Sequence, residues 1–449
     1  MFNNTVMKDV ELIPLDEIRQ PFEVDIRQVI PVYSEILRKW IVENPIIVDR
    51  ESRIILSGFE LFEALKLLGA DLAPVVSLDR GEFSIVSRSG RPIGIEYLLE
   101  SIMRGSKIEY GFFDLKLPFL EIPRVKVDLD SLGFSNDYRL RSNLRVYGDT
   151  LELLFKGWPT PLVRLKSFSS DTVTVFAKLE GFNPFSNSVK DRIGWSMISD
   201  ALARGSLKSI MYEATSTNTG IALAAIGNIL GVKTKLFIPK TIQRCSDTYL
   251  KILGADIERM PVSLTVEAIS DVESKARIDN ATHLNQFEND ANFKVHLKYT
   301  ARELDLQLRE IGVKPDVIVG GLGTSGHMSA ISLYFKSRYG DNVKVVGVQP
   351  ARGEVIPGIR RVETGMKWIH WFKFDNIIDV KLDEAIEGCI TVARREGLLI
   401  GLSSGAVFHA FTRIVSGRGV YVLVFPDTGY KYIEQFEEYL RRNAAYTFC

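Results

Sequence analysis

The chain has 449 residues, of which 46% are apolar and 25% are charged, and its 56 basic residues balance its 56 acidic ones. These values are ordinary for a folded, soluble protein, so they exclude a disordered chain, a collagen-like chain and a disulfide-stapled miniprotein. A net charge of zero gives no overall attraction for nucleic acid or for an anionic membrane. We therefore expect small-molecule partners, and neither nucleic acid nor membrane.

The three cysteines, Cys245, Cys389 and Cys449, are far apart in the sequence and form no clustered metal motif. An odd number of scattered thiols favours a reducing compartment over a secreted disulfide framework. Met1–Arg19 lacks the core of a signal peptide, and no run approaches the roughly 18 apolar residues that span a bilayer. These features predict a cytoplasmic protein without a metal site.

Residues 8–80 alternate short apolar runs with a helical pattern. The predicted helix ends at Gly69, because glycine is the usual residue after a helix C-terminus. Residues 120–145 are charged and weakly patterned, which is typical of a connector. The elements predicted here are the strands Pro45–Val48, Ile54–Leu56 and Leu72–Leu78 and the helix Leu61–Leu68.

From about Gly157 the pattern changes to repeated strand–helix units, so we predict one domain at residues 1–145 and another at residues 146–449. Strands that alternate with helices indicate α/β folding, with parallel sheets covered by helices on both faces. Such sheets bind ligands beyond the carboxyl ends of their strands. The predicted strands are Thr172–Lys178, Ser209–Glu213, Lys233–Ile238, Asp256–Met260, Asp316–Val319, Val343–Val348 and Gly419–Phe425, and the predicted helices include Lys190–Arg204, Thr219–Leu230, Phe293–Ile311 and Ser325–Ser337.

The segment Asn183-Pro-Phe-Ser-Asn-Ser-Val-Lys-Asp-Arg192 places a lysine in the first turn of a helix. Lysine is normally found near the opposite end, where the helix dipole favours a positive charge. The position of Lys190 therefore suggests a chemical role for its amine, such as carrying a Schiff base. The alternative is an exposed lysine that its neighbour Asp191 compensates.

Three further loops each lie between a predicted strand and a helix. Glu213-Ala-Thr-Ser-Thr-Asn-Thr-Gly220 gathers hydroxyls, an amide and N–H groups that suit a carboxylate, although it could be a plain polar loop. Gly320-Gly-Leu-Gly-Thr-Ser-Gly-His327 suits a phosphate, although it could be a tight glycine turn. Gly401-Leu-Ser-Ser-Gly405 by itself indicates little more than a helix cap.

Together, and in this order, these segments resemble the fold-type II pyridoxal-phosphate enzymes, and most of all the cysteine synthase and cystathionine β-synthase group. The resemblance covers about residues 150–440 and starts at Gly157-Trp-Pro-Thr-Pro-Leu162. It implies two doubly wound α/β subdomains, the cofactor pyridoxal 5′-phosphate and a homodimer. Thr217 replaces a glycine of the usual Thr-Ser-Gly-Asn-Thr loop, and the usual Gly-Thr-Gly-Gly-Thr loop ends in Ser325, Gly326 and His327 here.

The resemblance also implies roles for individual residues. Lys190 would bind the cofactor covalently and later remove the substrate α-proton, and Asn218 would contact the oxygen on the pyridine ring. Ser403, or less favourably Ser404, would face the pyridine nitrogen, where a hydroxyl gives a weaker electron sink than a carboxylate and so favours β-replacement. The substrate carboxylate would be held by Thr215, Ser216 and Thr219, and the cofactor phosphate by Gly323, Thr324, Ser325, Gly326 and His327.

The lysine segment resembles archaeal O-phosphoserine sulfhydrylases more than the shorter O-acetylserine form. In that branch an arginine over the mouth of the site reads the substrate phosphate, which implies this role for Arg360, or second Arg361. Thr265 would add a hydroxyl opposite, and Phe287 could line the pocket or belong to the core. The implied reaction makes L-cysteine from O-phospho-L-serine and sulfide through an aminoacrylate intermediate.

The N-terminal segments Asn44-Pro-Ile-Ile-Val48 and Arg53-Ile-Ile-Leu-Ser-Gly58 resemble the small α+β fold of ParB and sulfiredoxin, which archaeal free-serine kinases share. Such kinases carry Asp-Gly-His-His-Arg where this chain has Ser57-Gly-Phe-Glu-Leu61. The groups that would handle phosphate or metal are missing, so we predict a regulatory or oligomerising domain without kinase activity.

Several alternatives remain open at this point. O-acetylserine could be the donor, homocysteine could replace sulfide as in cystathionine β-synthase, or threonine could be deaminated. The chain could also be a regulatory or binding protein built on a retired pyridoxal-phosphate scaffold.

Overall fold

The computed structural model describes residues 6–87, 91–103, 113–117, 120–133 and 145–443. Its contacts divide the chain into two compact units, an N-terminal unit at residues 1–136 and a C-terminal unit at residues 137–449. The change in sequence pattern predicts this boundary at residue 145 instead. Cys449, about which the sequence says little, lies outside the described residues.

The N-terminal unit is built around a four-stranded mixed sheet. The central strand Leu72–Leu78 runs antiparallel to Glu11–Pro14 and parallel to Ile46–Asp49, which pairs in turn with Ile55–Ser57. Three antiparallel strands form a second sheet, and two pairs of short strands complete the unit. These further strands are Pro92–Ile93, Ser84–Ser87 and Phe113–Lys116, then Val6–Met7 with Leu120–Glu121, and Ile41–Val42 with Val127–Asp128.

Two helices of the N-terminal unit begin and end for clear local reasons. Ile26–Lys39 starts after Asp25, whose side chain accepts a hydrogen bond from the Arg27 N–H at 2.9 Å. Phe59–Leu68 ends at Gly69, which has the left-handed conformation expected of a helix C-terminus. The unit also contains the helix Ile95–Met103 and the 3-10 turns Leu15–Glu17 and Leu129–Leu132.

The C-terminal unit contains two sheets. The larger has six strands, and all neighbours in it are parallel except the edge pair Leu162–Arg164 and Val173–Leu179. The smaller has four parallel strands. In spatial order, the larger sheet is Leu162–Arg164, Val173–Leu179, Gly419–Phe425, Val317–Gly321, Lys344–Pro350 and Asn376–Val380, and the smaller is Asp256–Met260, Lys233–Pro239, Ile210–Ala214 and Thr282–His283.

Helices alternate with these strands, so the α/β prediction is confirmed for this unit. The predicted helix Phe293–Ile311 is instead three consecutive pieces, with a π-helical turn at His296–Ala301. The other helices are Thr150–Lys156, Lys190–Ala203, Thr217–Leu230, Ser246–Ile252, Ile269–Ile278, Asp290–Val295, Arg302–Glu310, Gly326–Tyr339, Leu382–Glu396, Leu402–Ile414 and Ile433–Arg442, with 3-10 turns at Lys166–Phe168, Glu180–Phe182, Thr265–Ala268, Gly340–Asn342, Val362–Thr364, Ile369–Trp371 and Gly429–Lys431.

The helices of the described ranges are too short or too polar for any of them to cross a membrane. The larger sheet packs on Leu382–Glu396 and Leu402–Ile414, which bury a continuous apolar core against its strands. Because the central strands are parallel, their carboxyl ends and the loops that follow them lie at one edge of the sheet, where ligands bind in such folds.

Candidate active site

Lys190 is the first residue of the helix Lys190–Ala203, and the loop before it is tightly held. Its backbone N–H donates to Ser188 Oγ at 3.1 Å, and the buried Asp191 carboxylate accepts from the N–H of Phe185 at 2.7 Å. Among the described residues, the Lys190 amine has no hydrogen-bond or ion-pair partner. Burial lowers its pKa to about 8, although the negative charge of Asp427 opposes this shift. The amine is therefore neutral far more often at neutral pH than an ordinary lysine.

The hydroxyls predicted to hold a carboxylate lie where the strand Ile210–Ala214 meets the helix Thr217–Leu230. Gln286 organises two of them, because its Nε2 donates to Thr215 Oγ1 at 3.2 Å and its Oε1 accepts from Thr219 Oγ1 at 2.8 Å. Ser216 is partly exposed. The first N–H groups of a helix lack partners within the helix, so this loop combines donors that suit an anion.

Thr217, the residue that departs from the usual loop, points away from this cluster. Its hydroxyl donates to Ser246 Oγ at 2.7 Å and ties the helix Thr217–Leu230 to Ser246–Ile252. Asn218, the next residue, donates from Nδ2 to Asp427 Oδ2 at 2.8 Å, while its Oδ1 is buried without a partner. The loop thus fixes Asn218 from one side only.

The glycine loop, which we call the glycine cradle, packs closely against neighbouring polar atoms. A Cβ at Gly323 would lie 2.6 Å from the carbonyl oxygen of Gly358, and one at Gly326 would collide with Asn292 Oδ1. Asn292 Nδ2 also donates to Thr324 Oγ1 at 3.0 Å. A larger residue at either glycine would clash with these neighbours, so the loop needs glycine at both positions.

Two side chains in this loop have buried polar atoms that find no hydrogen-bond partner among the residues described. Ser325 has a φ of +71° and an unpaired Oγ, and His327 has an unpaired Nε2. Burial lowers the pKa of His327 to about 3, and the nearby Lys190 adds to this effect. His327 is therefore neutral and can donate one N–H. These donors at the start of Gly326–Tyr339 fit a phosphate group.

Ser403 and Ser404 differ in what their hydroxyls contact. Ser404 Oγ lies 3.5 Å from the carbonyl oxygen of Asp427. Ser403 is 2% exposed, and its hydroxyl lies beside Gly358, where an added Cβ would be 3.5 Å away. Within the described ranges the Ser403 hydroxyl has no hydrogen-bond partner, so it is the one available to a ligand.

Arg360 lies against the glycine loop. Its Nε donates to the carbonyl oxygen of Gly323 at 2.9 Å, and its guanidinium lies 5.0 Å from the centre of the Phe287 ring. Burial lowers its pKa to about 10, so it stays charged at neutral pH. Arg361 points elsewhere and pairs with Asp379 at 2.8 Å. None of the hydrogen bonds in the described part of the chain joins Thr265 to these residues.

Four polar residues that organise these loops, Asp427, Glu213, Gln286 and Asn292, have no role predicted from the sequence. Asp427 follows the strand Gly419–Phe425 and binds Asn218. Glu213 accepts from the Gln286 N–H at 2.9 Å, and burial raises its pKa to about 7. Asn292 connects the Gln286 carbonyl oxygen, at 2.7 Å, to the glycine loop. A polar residue two positions after a buried strand is the sequence signal that points to Asp427.

Four fully buried charged side chains lie near Lys190. Arg192 pairs with Glu180 at 2.6 Å and with Glu303 at 2.7 Å, and Lys178 pairs with Glu303 at 3.1 Å. The Arg192 guanidinium also lies 4.5 Å from the centre of the Trp158 ring. Burial by itself would raise the pKa of Glu180, but Arg192 and Lys178 lower it to about 2. We call these four charges the buried ion network.

The N-terminal unit has a separate cavity of about 450 Å³. Apolar residues such as Ile36 and Ile47 line it, together with the charged residues Glu35, Glu43 and Arg124. Ser57, which starts the segment where the resemblance to kinases breaks down, also lines it. Its size falls in the usual range for small-molecule sites.

Comparison with known proteins identifies the family of the C-terminal unit. Residues 153–427 match the family of pyridoxal-phosphate dependent enzymes. A cysteine synthase of Aquifex aeolicus is 34% identical over 61% of this chain and 88% of its own length. The cystathionine β-synthase of Saccharomyces cerevisiae is 31% identical over 63% of this chain and 62% of its own length.

A solved structure of an O-ureido-L-serine synthase matches 66% of this chain and 96% of its own, with 25% identity and a TM-score of 0.59. The unpaired Ser325 Oγ and His327 Nε2 and the glycine cradle fit the phosphate that this family's cofactor carries. The chain therefore belongs to the pyridoxal-phosphate dependent enzymes, in the cysteine synthase and cystathionine β-synthase group, as a β-replacement enzyme that uses pyridoxal 5′-phosphate.

Proposed function

We propose that this enzyme makes L-cysteine from O-phospho-L-serine and sulfide by β-replacement. The observation that carries the choice of donor is the charge of Arg360, which is partly buried beside the glycine loop and has no carboxylate in ion-pair contact among the described residues. Burying this charge costs free energy that Glu288 offsets in part from beyond ion-pair distance, and an incoming phosphate would compensate it further. An acetyl ester offers no such charge.

The geometry of Arg360 leaves part of its guanidinium available. Nε binds the Gly323 carbonyl oxygen and Nη1 donates to Thr364 Oγ1 at 3.1 Å, whereas Nη2 has no partner within the described residues. Phe287 supports the planar group from one face. The guanidinium plane of Arg360 is held in place and its Nη2 is available. This arrangement favours a phosphate that approaches over the glycine loop, since arginine binds phosphate through directional, bidentate hydrogen bonds. Thr265 is proposed to add a hydroxyl.

The other residues of the site have proposed roles in binding the substrate, moving its α-proton and contacting the cofactor ring. The cofactor supplies an electron sink for the bond broken at the substrate α-carbon. Thr215, Ser216 and Thr219 orient the substrate carboxylate, and the Lys190 amine takes the α-proton, which its lowered pKa favours. Ser403 offers the pyridine nitrogen a hydroxyl, which stabilises a positive charge there only weakly. This favours loss of a β-leaving group over transamination.

The cradle for the cofactor is proposed to consist of the glycine loop and Asn218. Gly323, Gly326 and the N–H groups around them allow close approach, and Thr324, Ser325 and His327 supply side-chain donors. Asn218 would donate to the ring oxygen through the N–H that Asp427 does not use.

The test of the phosphate-reading role compares two adjacent arginines. Arg360→Ala should lower kcat/KM for O-phosphoserine by about 100-fold, because a charge-assisted hydrogen bond is worth about 1.5–3 kcal/mol. When saturating pyridoxal 5′-phosphate offsets the lost contact to Gly323, the same variant should lower kcat/KM for O-acetylserine by less than about threefold, since that donor does not carry the charge that Arg360 reads. Steady-state rates with sulfide and each donor measure both effects.

Arg361→Ala is the matched control for this experiment. It removes the same side chain one residue later, but Arg361 pairs with Asp379 and Glu363 and should leave both donors within about threefold of the parent, as surface ion pairs contribute little. Equal losses on both donors in Arg360→Ala would reject the phosphate-reading role. A parent enzyme that prefers O-acetylserine, or serine with homocysteine, would identify the corresponding alternative reaction.

We also propose a cytoplasmic homodimer that binds only small molecules, and an N-terminal unit of ParB-like type with a regulatory role. The cavity beside Ser57 supports a small-molecule regulator, because acidic, basic and apolar residues line it together. Full-length protein mixed with ATP and serine is expected to release no ADP. Release of ADP with formation of O-phosphoserine would show instead that this unit is a kinase.

A further inference from the structure

Asp427 is a buried carboxylate that no role has yet explained. It is 2% exposed and follows the strand Gly419–Phe425 at the edge of the sheet where the site lies. Oδ2 accepts hydrogen bonds from Asn218 Nδ2 at 2.8 Å and from the Tyr432 hydroxyl. Oδ1 is buried without a partner. A buried carboxylate oxygen without a partner costs free energy, so the position of Asp427 calls for an explanation.

The hydrogen-bonding capacity of the Asp427 carboxylate and of the Asn218 amide fixes the orientation of the Asn218 side chain. An ionised carboxylate only accepts hydrogen bonds, so the amide nitrogen of Asn218, and not its oxygen, must face Asp427. The amide nitrogen carries two N–H groups, and Asp427 uses one of them. The second is then held in a fixed direction and remains available to a ligand.

The backbone around Asp427 also touches the lysine loop. The Val189 N–H donates to the Pro426 carbonyl oxygen at 2.8 Å, and Ser188 forms an isolated bridge with Asp427 itself. Lys431 Nζ lies 4.0 Å from Asp427 Oδ2 and donates to the Ser186 carbonyl oxygen at 2.6 Å. Asp427 therefore lies between the segment that carries Lys190 and the loop that carries Asn218.

We propose that Asp427 is a positioning residue, which turns the amide nitrogen of Asn218 toward the ring oxygen of pyridoxal 5′-phosphate and holds it there. Asp427 acts through Asn218 and does not itself touch the cofactor. The inference rests on the role proposed for Asn218, and it does not depend on which donor the enzyme uses.

The test uses the resting holoenzyme, without substrate. The bound cofactor absorbs in two bands, and their ratio responds to hydrogen bonding at the ring oxygen. Asp427→Asn can present an N–H to Asn218, so it no longer selects one orientation of that amide. The loss of one hydrogen bond should change the band ratio by about fivefold. With substrate, kcat should fall by about tenfold or more, while KM for the amino acid changes less than about threefold.

Thr217→Val is the matched control. It removes the hydroxyl contact to Ser246 one residue before Asn218 and leaves the hydrogen bond between Asn218 and Asp427 in place, so the band ratio should stay as in the parent. In an Asn218→Ala background, Asp427→Asn should cause no further change in the ratio, because the residue through which it acts is gone.

Two results would overturn the proposal. One is an unchanged band ratio in Asp427→Asn, and the other is an equal change in the parent and in the Asn218→Ala background. Asp427→Ser removes the same contact with a smaller side chain and gives the same comparison if Asp427→Asn folds poorly by circular dichroism. Because the spectra need no turnover, a wrong choice of donor in the proposed function would leave these outcomes intact.

Discussion

Lys190→Ala is expected to abolish turnover and to remove the visible absorption of the cofactor bound to its lysine. The amine lies in a site where burial lowers its pKa to about 8, and it has no hydrogen-bond or ion-pair partner among the described residues. General-base catalysis alone contributes about 10²–10⁴-fold, and the covalent link to the cofactor is lost as well. We therefore expect a fall in kcat of at least about 10³-fold.

The visible spectrum and a phosphate-release assay measure this prediction. Lys251→Ala is the control, because Lys251 is also on a helix, Ser246–Ile252, but is exposed to solvent. It should keep the spectrum and the rate. The phosphate cradle is intact in Lys190→Ala, so the variant should still take up cofactor, without a covalent bond. Turnover that persists in Lys190→Ala would show that Lys190 neither binds the cofactor covalently nor removes the α-proton.

Arg192→Leu is expected to lower the free energy of unfolding of the C-terminal unit by about 3–5 kcal/mol. The buried ion network balances two positive charges, Lys178 and Arg192, against two negative ones, Glu180 and Glu303, at zero exposure. Without Arg192 one negative charge remains uncompensated where water cannot reach it. A loss of this size should lower the melting temperature by about 10 °C.

Urea unfolding followed by tryptophan fluorescence measures the loss, since Trp158 lies on Arg192. Arg204→Leu is the control, because Arg204 pairs with Asp200 near the surface, and such a pair contributes at most about 1 kcal/mol. Arg192→Leu combined with Glu303→Leu removes one charge of each sign and should recover part of the loss. A single variant within about 1 kcal/mol of the parent would show that the network is dispensable for stability.

Local signals in the sequence predict the elements of the C-terminal unit well. Asp256–Met260 and Gly419–Phe425 have the bounds that the apolar runs predict. Lys190 starts its helix as its segment predicts, because the turn at Asn183-Pro184 and the helical pattern after it are both local. Patterns of this kind depend only on residues that are close together in the chain, so they can be recognised in a single sequence.

The organisation of the site depends on contacts that no local pattern contains. Asn218 meets Asp427 across 209 positions of sequence, and Arg192 meets Glu303 across 111. The π-helical turn at His296–Ala301 also interrupts a run that has ordinary helical periodicity. A periodicity argument cannot locate such partners, because it describes which face of an element is buried and not what lies against that face.

The hydrogen bond from Arg360 to the Gly323 carbonyl oxygen has a consequence for engineering the enzyme. The loop Pro357–Arg361 is short, so exchanging it for a loop from another donor class should leave the scaffold folded, provided that the new loop keeps an apolar residue in place of the buried Ile359. The exchange would also remove the hydrogen bond with which Arg360 holds the glycine loop. A redesigned donor preference would therefore come with weaker retention of the cofactor, unless the new loop restores a donor to that carbonyl.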